Sequence, residues 1–323
     1  MKQISNLEAV RDAIAVEMRA NPEIILLGEG TGERGGSFGH TKGLYQEFGP
    51  ERLLDTPIAE LGFTGLAIGA AAAGMHPIVD LMFADFLAET MSQIVNQAAK
   101  IHYVSNGQVC VPIVIRAAMG SIKAAAAHHS GCLYPWFMHI PGLKVVTYSN
   151  PSDGYGLMRT ALRDPNPVLF LDHKALFSAK GDAPMEDTLI PFGKARICRE
   201  GSDVTVVATA LMVHRALEAA DKVRGISVEI IDPRTAAPLD LETIFTSVEK
   251  TGRLLIVDEA YPVCSLGSEV AAAVAAERLY DLDAPIRRLN PRPIAHPFSP
   301  PLEQAMLPQT DQIVSAITSL REE

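Results

Sequence analysis

The chain lacks a basic excess. Its 28 lysines and arginines face 38 aspartates and glutamates, a formal net charge of -10. Neither a phosphate backbone nor an anionic membrane surface would be drawn to such a surface, so nucleic acid and membrane are not the expected partners. Cysteine is sparse: Cys110, Cys132, Cys198 and Cys264, with no C-x-x-C pair. That pattern speaks against a disulfide framework and against a zinc ribbon. No apolar run reaches the roughly 20 residues of a membrane-spanning helix. The N-terminal MKQISNLEAVRDAIAVEMRA has no apolar core or small-residue cleavage site of a signal peptide. The expectation is a cytoplasmic protein with reduced thiols.

What is present is a globular composition, 48% apolar with 24 glycines and 22 prolines in 323 residues, enough for two α/β domains. Ser5 and Glu8 form a capping box, and Leu7, Val10, Ile14 and Met18 mark one helix face. Strands are expected at 23–28, 77–83, 111–117, 143–148 and 167–172, helices at 60–74, 84–104 and 151–163, the last opened by Pro151. The 60–74 helix, all small and apolar after Glu60, is expected to be buried. A polar, mobile connection is expected at 178–190, followed by a second alternating series. Strands alternating with helices predict parallel sheets covered on both faces.

Several stretches carry candidate chemistry. GTGERG at 30–35 matches the glycine spacing of a dinucleotide loop, but no helical pattern begins inside it, so a flexible loop fits better. AHHSGCLYPWFMH at 127–139 groups three histidines and a cysteine. Zinc would require His128, His129, Cys132 and His139 to converge, although adjacent histidines point apart. A catalytic histidine on the loop after strand 111–117 is one reading, and one buried with two surface histidines is the other. In FADF, 83–86, two phenylalanines bracket an acid at a strand end, as core packing or as a platform for a flat ring. Cys132 and Cys264 read as ordinary residues, and Asp258-Glu259 and Asp281/Asp283 as surface acids. Glu60 poses the sharpest question: a carboxylate entering an apolar segment costs free energy unless something there uses it.

Ordered blocks along nearly the whole chain resemble one family. They include GGSFGHTKGLYQEFGPERLLDTPIAELGFTGLAIGAA (35–71), FADF, VPIVIR (111–116), HHS (128–130), PGLKVV (141–146), RDPNPVLFLDHKALF (163–177), IDPRTAAPLDLETI (231–244) and LEQAMLP (302–308). The chain is similar to the beta subunit of the thiamine-diphosphate-dependent component of 2-oxo acid dehydrogenase complexes. Pyruvate, branched-chain and acetoin dehydrogenases share it.

The resemblance implies an α/β protein of two three-layer domains with mainly parallel sheets. A transketolase-like pyrimidine-binding domain would cover 1–182, and a transketolase-type C-terminal domain 183–323. It implies that Glu60 bonds a ring nitrogen of the aminopyrimidine, with Phe86 stacking on that ring, Ile58 along its edge and Glu89 near it. His129 would stand by the reactive end and manage protons. Backbone oxygens of Ile113, Ala161, Leu162, Asp164 and Asn166 would hold a structural potassium ion. The magnesium-diphosphate motif is missing: GDA at 181–183 has no such continuation. The implied partner is therefore an alpha subunit carrying magnesium, in an α2β2 assembly that passes its product to a lipoyl-bearing acyltransferase.

The loop SIKAAAA, 121–127, replaces a glycine-rich one, and His128 and Gly131 flank His129-Ser130 where the family has glutamines. IDPRT, VDEAYPVC and HPFSPPLEQAMLP lean toward the acetoin branch, and an acid at Glu89 would repel a carboxylate substrate. The expected substrate is acetoin or a small 2-oxo acid. Two other readings stand beside it: a catalytically reduced structural partner of an alpha-type chain, and a nicotinamide-dependent oxidoreductase using the 30–35 glycines.

Overall fold

A computed structural model describes residues 3–323. Its strands, in chain order, begin with β1 (Gln3–Ser5), β2 (Ile24–Gly28), β3 (Leu53–Asp55), β4 (His76–Phe83), β5 (Val114–Met119), β6 (Lys144–Thr147), β7 (Val168–His173) and β8 (Lys180–Asp182). They continue with β9 (Arg196–Arg199), β10 (Val204–Ala208), β11 (Val228–Asp232), β12 (Thr235–Ala237), β13 (Leu254–Val257) and β14 (Arg287–Leu289). A seven-stranded sheet has the order β12-β6-β7-β5-β4-β2-β3, and a five-stranded sheet the order β14-β13-β10-β11-β9. Within these two sheets all pairings are parallel except β12 with β6 and β9 with β11, and β1 and β8 form a separate antiparallel pair. The two-domain α/β architecture expected from the alternating pattern is present. Among the described residues no helix is long and apolar enough to cross a membrane.

Burial on both faces of the first sheet follows from side-chain alternation. Ile24 and Leu26 of β2 join one core with Val10, Ile14 and Met18 of the helix Asn6–Ala20. Ile25 and Leu27 join the opposite core, with Phe63, Ala67 and Ile94. The expected capping box starts the first helix: Ser5 and Glu8 bond each other's backbone N–H. Pro151 opens the helix Pro151–Ala161 behind Asn150, whose side chain accepts from the N–H of Asp153.

Four expectations are corrected. The 60–74 segment forms the helix Glu60–Ala72, but only one face is buried, while Leu61 and Leu66 are 49% and 63% exposed. The long 84–104 helix is broken into a 3-10 turn (Ala84–Ala88), a π turn (Gln93–Ala98) and a short α turn (Ile101–Val104). Thr90 Oγ donates to Leu87 O (3.1 Å) where the first piece ends. The 178–190 connection is pinned rather than loose. Its β8 pairs with β1, Tyr155 OH donates to Glu186 O (3.0 Å), and the Ile190 N–H donates to Gly156 O (3.4 Å). Asp258 and Glu259 are buried at the end of β13 instead of lying on the surface.

The short strand β12, absent from the sequence expectation, leaves the second domain to pair with β6 of the first. Apolar residues of both domains, such as Ile115 and Leu171 with Ile231 and Ile256, belong to one continuous core. The second domain is thereby fastened against the first.

Candidate active site

The parallel strands of the first sheet point their carboxyl ends to one edge, where ligands of open α/β sheets bind. Glu29 follows β2, and the helix opened by Glu60 follows β3. Phe83 closes β4, with Asp85 and Phe86 in the next turn. His129 lies on the loop leaving β5, and Lys174 follows β7. Strand order therefore lines up Lys174, His129, Phe86, Glu29 and Glu60 along this edge. With strands about 4.8 Å apart, the exits of β4 and β3 are separated by roughly 10 Å.

An aromatic wall surrounds the half-buried His129. Its imidazole meets Phe83 at 4.4 Å and Phe86 at 5.7 Å, both edge to face. The two phenylalanines meet edge to face at 5.8 Å, and Phe38 extends the wall at 5.4 Å from Phe83. Lys174 is buried, donates from Nζ to the His129 carbonyl, and lies 5.1 Å from the Phe83 ring center. Burial holds its ammonium below the ordinary lysine range against the pull of Asp85 and other acids. Asp85 accepts the Gly131 N–H at 3.2 Å, which fixes the chain just beyond His129. The FADF aromatics thus serve this wall, and their acid serves the loop.

Glu60 is half-buried in the first turn of its helix, where Ala59 offers no side-chain cap. A carboxylate there is favoured by the helix dipole. Among the described residues its side chain makes no hydrogen bond to the rest of the chain. Its neighbour Glu29 was not singled out by sequence. Burial, then the charges of Glu60 and Asp80, push the Glu29 carboxyl above the usual range. The signal available was position: Glu29 directly follows the apolar run IILLG. Ser130 Oγ and Gln93 Oε1 are buried without a partner among the described residues.

The remaining candidates separate. Ile58 is 81% exposed, just ahead of the helix on which Leu61 and Leu66 are exposed as well. Glu89 is exposed at the end of the 3-10 turn. Ile113, Ala161, Leu162, Asp164 and Asn166 gather at the opposite edge of the sheet, before β5 and β7 begin. There the Ile113 carbonyl accepts the Val168 N–H (2.9 Å) and the Ala161 carbonyl that of Asp164 (3.2 Å). His128 and His139 are exposed, and burial pushes the Cys132 thiol well up. No group of three His, Cys, Asp or Glu among the described residues is arranged to hold a metal ion. In the 30–35 loop the Gly32 N–H donates to Asp55 Oδ1 (2.8 Å), and the next helix after the loop begins only at Leu44. The helix N-terminus that a dinucleotide would need is not in the motif.

Residues 2–179 match the transketolase pyrimidine-binding domain and residues 193–313 the transketolase C-terminal domain. The chain is 47% identical to the beta subunit of acetoin:2,6-dichlorophenolindophenol oxidoreductase of Cupriavidus necator, over 98% of this chain and 96% of the relative. It is 43% identical to the 2-oxoisovalerate dehydrogenase subunit beta of Bacillus subtilis, over 100% of both chains. It is 44% identical to the pyruvate dehydrogenase E1 component subunit beta of Rhizobium meliloti, over 97% of this chain and 69% of the relative. A solved split-gene transketolase, described as an inactive beta4 tetramer, shares the fold. Its TM-score is 0.80 at 23% identity, covering 99% of this chain and 98% of that one.

Proposed function

The chain belongs to the beta subunits of thiamine-diphosphate-dependent E1 dehydrogenase components, the family of the acetoin, pyruvate and 2-oxoisovalerate enzymes, and we propose that it supplies the aminopyrimidine half of an acetoin-cleaving site. The other half belongs to an alpha-type chain, in an α2β2 assembly that hands its two-carbon product to a lipoyl group of an acyltransferase.

The observation that carries this reading is the carboxylate of Glu60. Among the described residues it has no hydrogen-bond partner, and it stands on the edge that holds the Phe83–Phe86–His129 wall and opens a helix whose outer face is apolar and exposed. When bound, thiamine diphosphate supplies an acidic ring carbon and an electron sink for cleaving the bond beside a carbonyl. On this chain, Glu60 would hold a proton at the pyrimidine ring nitrogen. Phe86 would cover the ring, Ile58 would line its edge, and the partnerless Ser130 Oγ and Gln93 Oε1 offer polar contacts to a bound group. Glu89, from its exposed position, would act from the rim by charge. His129 would hold and move a proton at the substrate oxygen, with Phe38, Phe83 and Phe86 keeping water out.

GDA at 181–183 does not continue into a magnesium-diphosphate motif, which supports placing that group on the alpha-type chain. A potassium ion at Ile113, Ala161, Leu162, Asp164 and Asn166 would brace the entry to β7, away from the chemistry. Glu29, Glu60, Asp85 and Glu89 outnumber the cation Lys174 along this edge, and that excess of acids favours a neutral hydroxyketone over a substrate with a carboxylate.

The test is co-expression with an alpha-type chain, followed by assays of acetoin, pyruvate and 2-oxoisovalerate with thiamine diphosphate and an artificial electron acceptor. Turnover is expected from the pair, with acetoin ahead. Turnover by this chain alone would defeat the split site, and a preference for pyruvate or 2-oxoisovalerate would move the substrate to the 2-oxo acids.

A further inference from the structure

We propose that Glu303 is a positioning residue: from the second domain it holds the loop that carries His129 in a backbone shape which the loop's own sequence disfavours. This rests on the reading of His129 as the proton-handling group.

The loop between β5 and His129 contains SIKAAAA, and Lys123, Ala124 and Ala126 have φ of 55°, 56° and 60°. Side chains with a Cβ meet the backbone in this left-handed region, and glycine is the residue that occupies it readily. Alanine prefers the right-handed helix. Three such residues within four positions hold this shape only if contacts from outside the loop impose it.

Those contacts come from two acids of the second domain. Glu303 Oε1 accepts Ser121 Oγ (2.8 Å), and Oε2 accepts the N–H of Ala124 (3.2 Å), itself one of the left-handed residues. Glu303 is 7% exposed, so water does not compete strongly for these bonds. It stands on the helix Pro300–Met306, where its N–H donates to Ser299 O (2.8 Å). Glu259 Oε1 accepts the N–H of Ser121 (2.8 Å), and its Oε2 lies 2.8 Å from His173 Nε2. Gly120, at φ 88°, lies so close to the His173 ring that a Cβ there would collide with it. At the far end Lys174 and Asp85 hold His129 and Gly131. The second domain therefore fixes the start of the loop, and the first domain fixes its end.

Lys123 is exposed, so trypsin reports on the loop independently of activity. In the full-length chain, Glu303→Gln is expected to raise cleavage after Lys123 at least tenfold, with cleavage after the exposed Lys42 unchanged as a control for general loosening. In the complex with its alpha-type partner, Glu303→Ala is expected to lower kcat at least tenfold. Adding Ala124→Gly and Ala126→Gly should recover part of that loss, because glycines hold the left-handed shape without the clamp. Unchanged cleavage after Lys123, equal acceleration at both lysines, or no recovery by the glycines would overturn the proposal. His129→Ala separates the two claims: full turnover there removes the catalytic reading, and the clamp is then decided by cleavage after Lys123.

Discussion

The imidazole of His129 abuts the ring of Phe83 edge to face, with centroids 4.4 Å apart, while Lys174 approaches the same ring at 5.1 Å. One phenyl group thus orients the histidine and shields the cation that holds its carbonyl. Edge-to-face pairs contribute about 0.5–1.5 kcal/mol beyond the area they bury. Phe83→Leu keeps the apolar bulk and removes the ring. Its expected effect is a fall in kcat of about tenfold, equivalent to about 1.4 kcal/mol, with a stability loss near 1 kcal/mol. Steady-state kinetics of the reconstituted complex and thermal unfolding of the variant measure the two separately. An unaltered kcat would mean that the ring has no part in orienting the imidazole.

Glu60 and Glu29 share the same edge, and of the two only Glu60 carries the proton-handling role in the proposed function. Glu60→Gln preserves shape and dipole but cannot exchange a proton, and groups that transfer protons contribute about 10²–10⁴-fold to rate. A loss in that range is expected. Glu29 is pushed up by burial and by the charge of Glu60. Glu29→Gln removes only this neighbouring influence and should cost less than tenfold at neutral pH. Equal losses in the two variants, assayed side by side, would contradict this division of roles.

The parts of this fold legible in the sequence are those governed by local rules. The Ser5–Glu8 capping box, the strand IILLG and the Pro151 helix start each follow from neighbours a few residues apart. Phe86 and His129 could be named from motif resemblance, and they meet at 5.7 Å. What stayed hidden depends on long-range contacts. Pairing of Thr235 with Val146 makes a strand of a three-residue segment too short to show a pattern. Asp258 and Glu259 look like surface acids until Tyr134, Ser121 and His173 are found bonding them. The helix Glu60–Ala72 reads as buried because its composition is apolar, yet one face lies open in the single chain. Composition reports that a surface avoids water and is silent on whether the same chain or another one covers it.

That open face yields a prediction about assembly. Ile58, Leu61 and Leu66 are 81%, 49% and 63% exposed, and Gly62 between them and Gly69 beyond them are exposed too, leaving room for another backbone to approach closely. Contiguous apolar surface of this kind marks an interaction site. Leu66→Glu should change the stability of the isolated chain by no more than about 0.5 kcal/mol, as surface substitutions usually do. It should nevertheless abolish co-purification with the alpha-type chain. Co-purification at the parental yield would show that the partner sits elsewhere.

Between the domains, Asp232 of β11 accepts Ser149 Oγ (2.5 Å) and the N–H of Arg234 (2.9 Å). Burial outweighs these bonds and, with the charge of Asp153, pushes its carboxyl up to about 7. An aspartate in the unfolded chain titrates near 3.9. Between about pH 4 and pH 7 the folded state therefore keeps a proton that the unfolded state has released, so stability from this group falls as pH rises through that window. Asp258, pushed up to about 6 by burial, acts in the same direction. Through these two carboxyls the parental protein should lose Tm between pH 5 and pH 8, with His296, held below the ordinary histidine range by burial, acting in the opposite direction. Asp232→Asn, which carries no titrating proton, should lose less over the same interval and should be the more stable of the two at pH 8. Parallel Tm-against-pH curves for parent and variant would show that the proton lies on another group.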